Sequence, residues 1–187
     1  MKTTIYSMIA VAGITLFAAC GNTQKPAATD PHAGHNHAPG EGHDHGTEKS
    51  VAAVTIKDDK LNAVYQHYIH LTTALVKGDM AEAKIAAGAI ELGGKALSNG
   101  SALTALAAKI AAATDLEVQR TVFSDLSNDF IARVKAAGLN SGEVYVEYCP
   151  MALNDKGASW LSNQKDIKNP YFGDSMLTCG EVKETIK

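Results

Sequence analysis

Signatures of catalysis are missing from this chain. Its 187 residues contain no glycine-rich phosphate loop, no Gly-x-Ser-x-Gly elbow and no His-Glu-x-x-His pair. Phosphoryl transfer, serine hydrolysis of the elbow type and zincin chemistry therefore have no support. The carboxylates fall mostly on predicted helix surfaces and caps, where solvation accounts for them. An excess of positive charge is lacking too: 17 Lys and Arg stand against 20 Asp and Glu, a net charge of −3, which gives no reason to expect nucleic acid as a partner. Cysteine is scarce, with Cys20, Cys149 and Cys179 alone. None of them forms the closely spaced pair that a dithiol oxidoreductase uses. Beyond the N-terminal stretch no apolar run is long enough to span a membrane. A non-enzymatic protein is the expectation.

The N-terminal stretch is a targeting segment. Lys2 supplies a short positive start, and Ile5 to Ala19 is apolar and uncharged. The run is short of the ~20 apolar residues of an ordinary span. It ends in Phe17-Ala18-Ala19-Cys20-Gly21. Small residues before a cysteine resemble a bacterial lipobox, in which Cys20 is acylated and becomes the first mature residue; a plain secretory signal cut nearby, or an uncleaved anchor, is the other reading. Residues 1–20 are thus expected to be a lipoprotein signal peptide outside the fold, with the cut just before Cys20. The acyl chains would hold the protein firmly, at about 0.8 kcal/mol per buried methylene. The expected place is the bacterial envelope, lipid-anchored and facing the periplasm from the outer membrane. That space is oxidising.

Residues 21–52 form the next region. They are rich in Gly, Pro, Ala, Thr and His and, up to Ser50, hold no bulky apolar residue. Such a stretch cannot bury enough surface to fold and reads as a disordered tether, reaching on the order of 30 Å as a coil. It carries His32, His35, His37, His43 and His45. A flexible chain can wrap imidazoles around Cu(II) or Zn(II) in a labile site; low-complexity filler is the bland alternative.

From residue 53 the texture becomes that of one domain, residues 53–187. Leu61, Val64, Tyr68, Leu71 and Leu75 recur at steps of three and four, predicting a helix over about 58–76. Gly78 is placed to stop it and Asp79 to cap the next, with Glu82 completing a capping-box-like pair. A second helix over about 80–97 has the stripe Ala83, Ala86, Ala87, Ile90, Gly94 and Leu97. A short third covers about 102–112, with Leu103, Leu106 and Ile110 inward. The fourth covers about 115–137, with Leu116, Phe123, Leu126, Phe130 and Val134 inward, Thr114 and Glu117 as a capping box, and Gly138 as its stop. Short connections favour an up-and-down four-helix bundle in an all-α fold. His67 and His70 share a helix face at a spacing of three. They read as a possible pair of metal ligands or as two surface histidines.

Residues 142–187 lose the helical spacing. Val144 to Tyr148 alternates and is β-compatible, but Pro150, Gly157, Pro170, Gly173 and Gly180 punctuate the rest. The expectation is a loop-rich segment wrapped on the bundle and anchored by Trp160. Within it, Cys149-Pro150-Met151 and Met176-Leu177-Thr178-Cys179 each place a thioether near a thiol. Thiolate and thioether together select Cu(I) or Ag(I) over hard cations. Three readings stand: a soft-metal site of Cys149, Met151, Met176 and Cys179; a structural Cys149–Cys179 disulfide, about 3–4 kcal/mol in the chain-entropy model; and two inert thiols. The thioether beside each cysteine favours the first.

Several stretches resemble a known family. Tyr148-Cys149-Pro150-Met151-Ala152, Gly157-Ala158-Ser159-Trp160-Leu161-Ser162, Ile167 through Asp174 and Met176-Leu177-Thr178-Cys179-Gly180 are similar to the signature of the domain of unknown function 3347 family. Gln119-Arg120, Phe123 and Leu126-Ser127 match its helical motif. The resemblance spans about residues 55–187. It implies the company of envelope lipoproteins and of extensions of copper/silver efflux adaptor proteins, and hence heavy-metal export or sequestration. The expected function is an anchored lipoprotein that binds Cu(I) or Ag(I), buffering it or handing it to an efflux adaptor, with the histidine tether as a loose collector. The alternative is a disulfide-stapled interaction module that docks on such an adaptor and binds no metal.

Overall fold

In the computed structural model, which describes residues 53–187, the helices begin and end at the residues whose chemistry permits it. Helix α1 (Asp59–Lys77) starts after Asp58, whose carboxylate accepts from the Leu61 N–H, and stops at Gly78 with φ 68°. A side chain would strain that left-handed turn, and Gly78 donates its N–H back to the last turn. Helix α2 (Met80–Gly94) is capped by Asp79, which accepts from the N–H groups of Ala81 and Glu82. Helix α3 (Ser101–Ala112) has no side-chain cap. Helix α4 (Leu116–Ala137) is capped by Asp115 through the Val118 N–H and closed by Gly138. The expected Thr114 cap is therefore one residue early. Asp115 is the residue that takes extended backbone (φ −143°, ψ 162°) and so aims its side chain at the open amides.

Consecutive helices pack on one another, and α1 also meets α4. Leu61, Val64, Tyr68, Leu71 and Leu75 are buried, as are Ala83, Ala86, Ala87, Ile90, Leu103, Ile110, Phe123, Leu126, Phe130 and Val134. The helical core is the one read from periodicity. Leu97, Leu106 and Leu116 sit at its margin. Among the described residues no helix is long and apolar enough to cross a membrane.

The all-α expectation is overturned. The chain is mixed α/β, because three stretches of the segment expected as wrapping loop pair into strands. Strand β1 (Thr55–Ile56) pairs antiparallel with β2 (Leu139–Ser141). Strands β3 (Val144–Cys149), β4 (Ala158–Ser162) and β5 (Glu181–Ile186) form an antiparallel sheet in the order β4-β3-β5. Opposite residues of an antiparallel pair share a face. Tyr145, Glu147 and Cys149 therefore share one with Ser162, Trp160 and Ala158, while Val144 and Val146 belong to the other. Val144, Val146, Glu147 and Cys149 are all buried. The Val144–Tyr148 alternation was the β-compatible signal in this segment and it marks β3, whereas the Gly and Pro punctuation of the rest hid β4 and β5. β4 leans on α4 and α1, and Trp160 is a buried strand residue there rather than a loop anchor.

Candidate functional site

Cys149 ends β3, opposite Ala158, and is fully buried. Cys179 arrives from the far side of a long excursion, residues 163–180, that the sheet does not include. Asn169 organises this excursion. Its side chain, fully buried, donates from Nδ2 to the Cys179 carbonyl at 2.8 Å and accepts at Oδ1 from the N–H groups of Tyr171 (2.8 Å) and Phe172 (3.3 Å). The Asn169 N–H donates to the Leu177 carbonyl at 2.8 Å, and the Cys179 N–H closes a turn onto the Met176 carbonyl at 3.1 Å. Gly180 lets the segment pass flat against the sheet. At φ 143°, a Cβ there would stand 3.0 Å from both the Trp160 ring and the Tyr148 carbonyl oxygen. The motif Asn169-Pro170-Tyr171-Phe172-Gly173 carried this signal, but only as a resemblance.

The two thiols are thereby neighbours. The Cys179 thiol is pushed up first by hydrogen bonding with the Cys149 thiol and then by burial. Cys149 is enclosed while Cys179 keeps partial exposure. One thiol thus lies at the bottom of the site and the other toward its mouth.

Met151 and Met176 occupy different settings. Met151 opens the β3–β4 connection and is 47% exposed. Behind it Leu153, Asn154 and Asp155 turn left-handed, with φ of 55°, 58° and 63°. Met176 is partly buried, at the head of the turn that ends in Cys179. The structure thus brings the two thiols together and sets the Met151 thioether at the surface. His70 hydrogen-bonds Glu82 at 3.0 Å, joining α1 to α2, and His67 is exposed on α1. No group of three or more His, Cys, Asp or Glu side chains among the described residues could hold a metal. His32, His35, His37, His43, His45 and Cys20 lie outside the described residues.

Glu147 was not anticipated. It lies on the face of β3 that carries Cys149, opposite Trp160, and is fully buried. Neither carboxylate oxygen closes a hydrogen bond among the described residues. Burial pushes this acid up from an ordinary 4.5 to about 8, Asp166 adds to the rise, and Trp160 and Ser162 oppose it only in part. Next to the sheet runs a groove of about 580 Å³ between α1 and the excursion. Ile69 and Val76 of α1, Trp160 and Leu161 of β4, and Leu177 line it, with Lys77, Lys168 and Asp174 at its edge.

Chemically, two adjacent thiols can deprotonate and coordinate one soft ion, or lose two electrons and two protons to an oxidant and form a disulfide. No curated protein and no solved structure matches the chain. A family model does, over residues 64–142, and its description is "Protein of unknown function (DUF3347)". The match runs from α1 into the turn before β3 and stops short of both Cys149 and Cys179. Over that helical part the chain is similar to the DUF3347 family.

Proposed function

We propose that Cys149 and Cys179 form a two-thiolate site for a soft monovalent cation, Cu(I) or Ag(I), on a lipid-anchored envelope protein that buffers the ion or passes it to an efflux adaptor. The observation that carries this reading is the meeting of the two thiols from segments far apart in the chain. Thiolate pairs suit a soft ion of low coordination number, and the small number of other ligand types nearby disfavours hard or high-coordinate metals. The apolar surround of Trp160 and Ile167 beside Gly180 would keep water from a bound ion. Met176 and the exposed Met151 supply thioethers through which the ion would exchange with a partner. The histidines of residues 32–45 would collect Cu(II) or Zn(II) more loosely.

Because the thiolate is the ligand, binding releases protons and weakens as pH falls. The elevated Cys179 thiol strengthens that dependence.

Cu(I) titration of the full chain under reducing conditions tests the proposal. The expected result is one ion per chain, lost in Cys149→Ser and in Cys179→Ser, and kept when the five tether histidines are replaced. A chain that takes up no Cu(I) when reduced, and that is isolated two protons lighter than the reduced mass, would instead be a disulfide-stapled docking module.

A further inference from the structure

The outer face of α2 carries apolar side chains that no described residue covers. Ile85 is 61% and Leu92 69% exposed, more than any other large apolar residue described. At about 100° per residue, Ala81, Ile85, Gly88 and Leu92 fall within a stripe about 60° wide. Their spacing of four, three and four is that of the seam between two packed helices.

Gly88 stands in the middle of that stripe. A Cβ at this position would meet nothing within 4 Å among the described residues, so their packing gives no reason for glycine there. Glycine inside a helix weakens it, and its usual return is the close approach of another backbone. Among the described residues nothing makes that approach.

The charges beside the stripe identify the visitor. Lys84 and Glu91 lie on the same flank, about 100° and 120° around from Ile85. Lys84 makes no ion pair among the described residues, and Glu91 pairs only with the exposed Lys95, at 3.3 Å. A two-fold axis crossing α2 near Gly88 would run a second α2 antiparallel to the first. Lys84 would then face the partner's Glu91, and Glu91 the partner's Lys84. In the same arrangement Ile85 and Leu92 would pack over the small residues Gly88 and Ala81 of the opposite helix. A surface whose apolar stripe and flanking charges both match their own reversal is suited to an isologous contact.

We propose that a second copy of this chain docks on the outer face of α2, helix against antiparallel helix, about a two-fold axis at Gly88. One helix crossing covers less than the ~1,600 Å² of a standard interface, so the pairing is weak in free solution and is favoured where copies are held close together.

Photo-cross-linking of the full chain under reducing conditions, with p-benzoylphenylalanine in place of Ala89, reads this contact. A covalent species of twice the chain mass is expected. Lys84→Glu, which sets like charges against each other twice, should lower its yield roughly fivefold. The double reversal Lys84→Glu with Glu91→Lys should restore it, and Leu92→Lys should abolish it. All these positions are on the helix surface, and circular dichroism checks that the helices remain. The proposal is overturned if no species of twice the mass forms, if the probe reacts only within its own chain, residues 1–52 included, or if Lys84→Glu leaves the yield unchanged.

Discussion

Glu147 and Asn169 show how differently two buried polar residues behave. Asn169 finds partners for both its side-chain nitrogen and its oxygen, and its bonds hold the segment that carries Cys179. Asn169→Ala should cost about 2–3 kcal/mol, since it leaves a buried N–H and a carbonyl without partners. Urea unfolding would measure the loss. Glu147 has no such partners, and its burial raises it to about 8. The folded protein therefore keeps a proton that the unfolded chain gives up near 4.5. The favourable contribution is complete below pH 4.5, declines as pH rises between 4.5 and about 8, and is gone above that. Glu147→Gln should flatten this dependence and stabilise the reduced, metal-free protein at pH 9 by on the order of 3 kcal/mol, with little change at pH 4. Denaturant midpoints at the two pH values would check it, and an equal shift at both would contradict it. Asn169 was legible only through the family motif, and Glu147 was not anticipated. A single Asn or Glu gives no sign by itself that the fold will enclose it.

At the scale of elements, the helices follow local chemistry closely. Gly78, Asp79 and Gly138 do what their types suggest, because capping depends on a few neighbouring backbone groups. The fourth helix supplies a sharper test, since Asp115 caps it where Thr114 was expected. Asp115→Ala should lower stability by about 1 kcal/mol, and Thr114→Ala should be close to neutral. Thermal unfolding of the two variants would distinguish them. The strands were harder to read for a physical reason. β3 buries Val144 and Val146 on one face and Glu147 and Cys149 on the other, so its alternation marked a strand but gave no sign that both faces would be covered. β4 follows β3 across an irregular connection broken by Pro150 and Gly157, and β5 pairs with β3 from a segment distant in sequence. Propensity alone cannot report pairing of that kind.

Across the whole molecule, sheet and bundle are joined by a small number of specific contacts. The Tyr68 hydroxyl, on α1, meets the Ser127 hydroxyl of α4 at 2.7 Å and accepts from the Leu161 N–H of β4 at 2.9 Å. Burial pushes this phenol up to about 12, so it stays protonated and able to donate. Rings continue the connection from Tyr68 to Phe123, Tyr171 and Trp160, with centroids 5.6, 5.7 and 5.9 Å apart in turn. Arg120 of α4 donates to the Pro170 carbonyl at 2.8 Å and the Leu75 carbonyl at 3.0 Å, tying the excursion to the end of α1. Arg120→Lys cannot reproduce that fork. It should cost about 1–3 kcal/mol and speed amide exchange in residues 163–180 more than in α1 to α4. Tyr68→Phe should cost about 1–2 kcal/mol, because it strands the Leu161 N–H. In that variant exchange should rise first at β4.

The amino-acid order alone determined the four helices, their inward faces and most of their ends, because each depends on residues within a turn or two of one another. It also carried the resemblance to the family that residues 64–142 match, and the two sulfur-bearing motifs. Tertiary structure decided what those motifs become. Only the pairing of β3 with β4, and the return of residues 163–180 over the sheet, set Cys179 beside Cys149 and Glu147 in the dark beneath Trp160. Those contacts join positions far apart in the chain, and their free energy comes from burial and from hydrogen bonds that exist only after the ends have met.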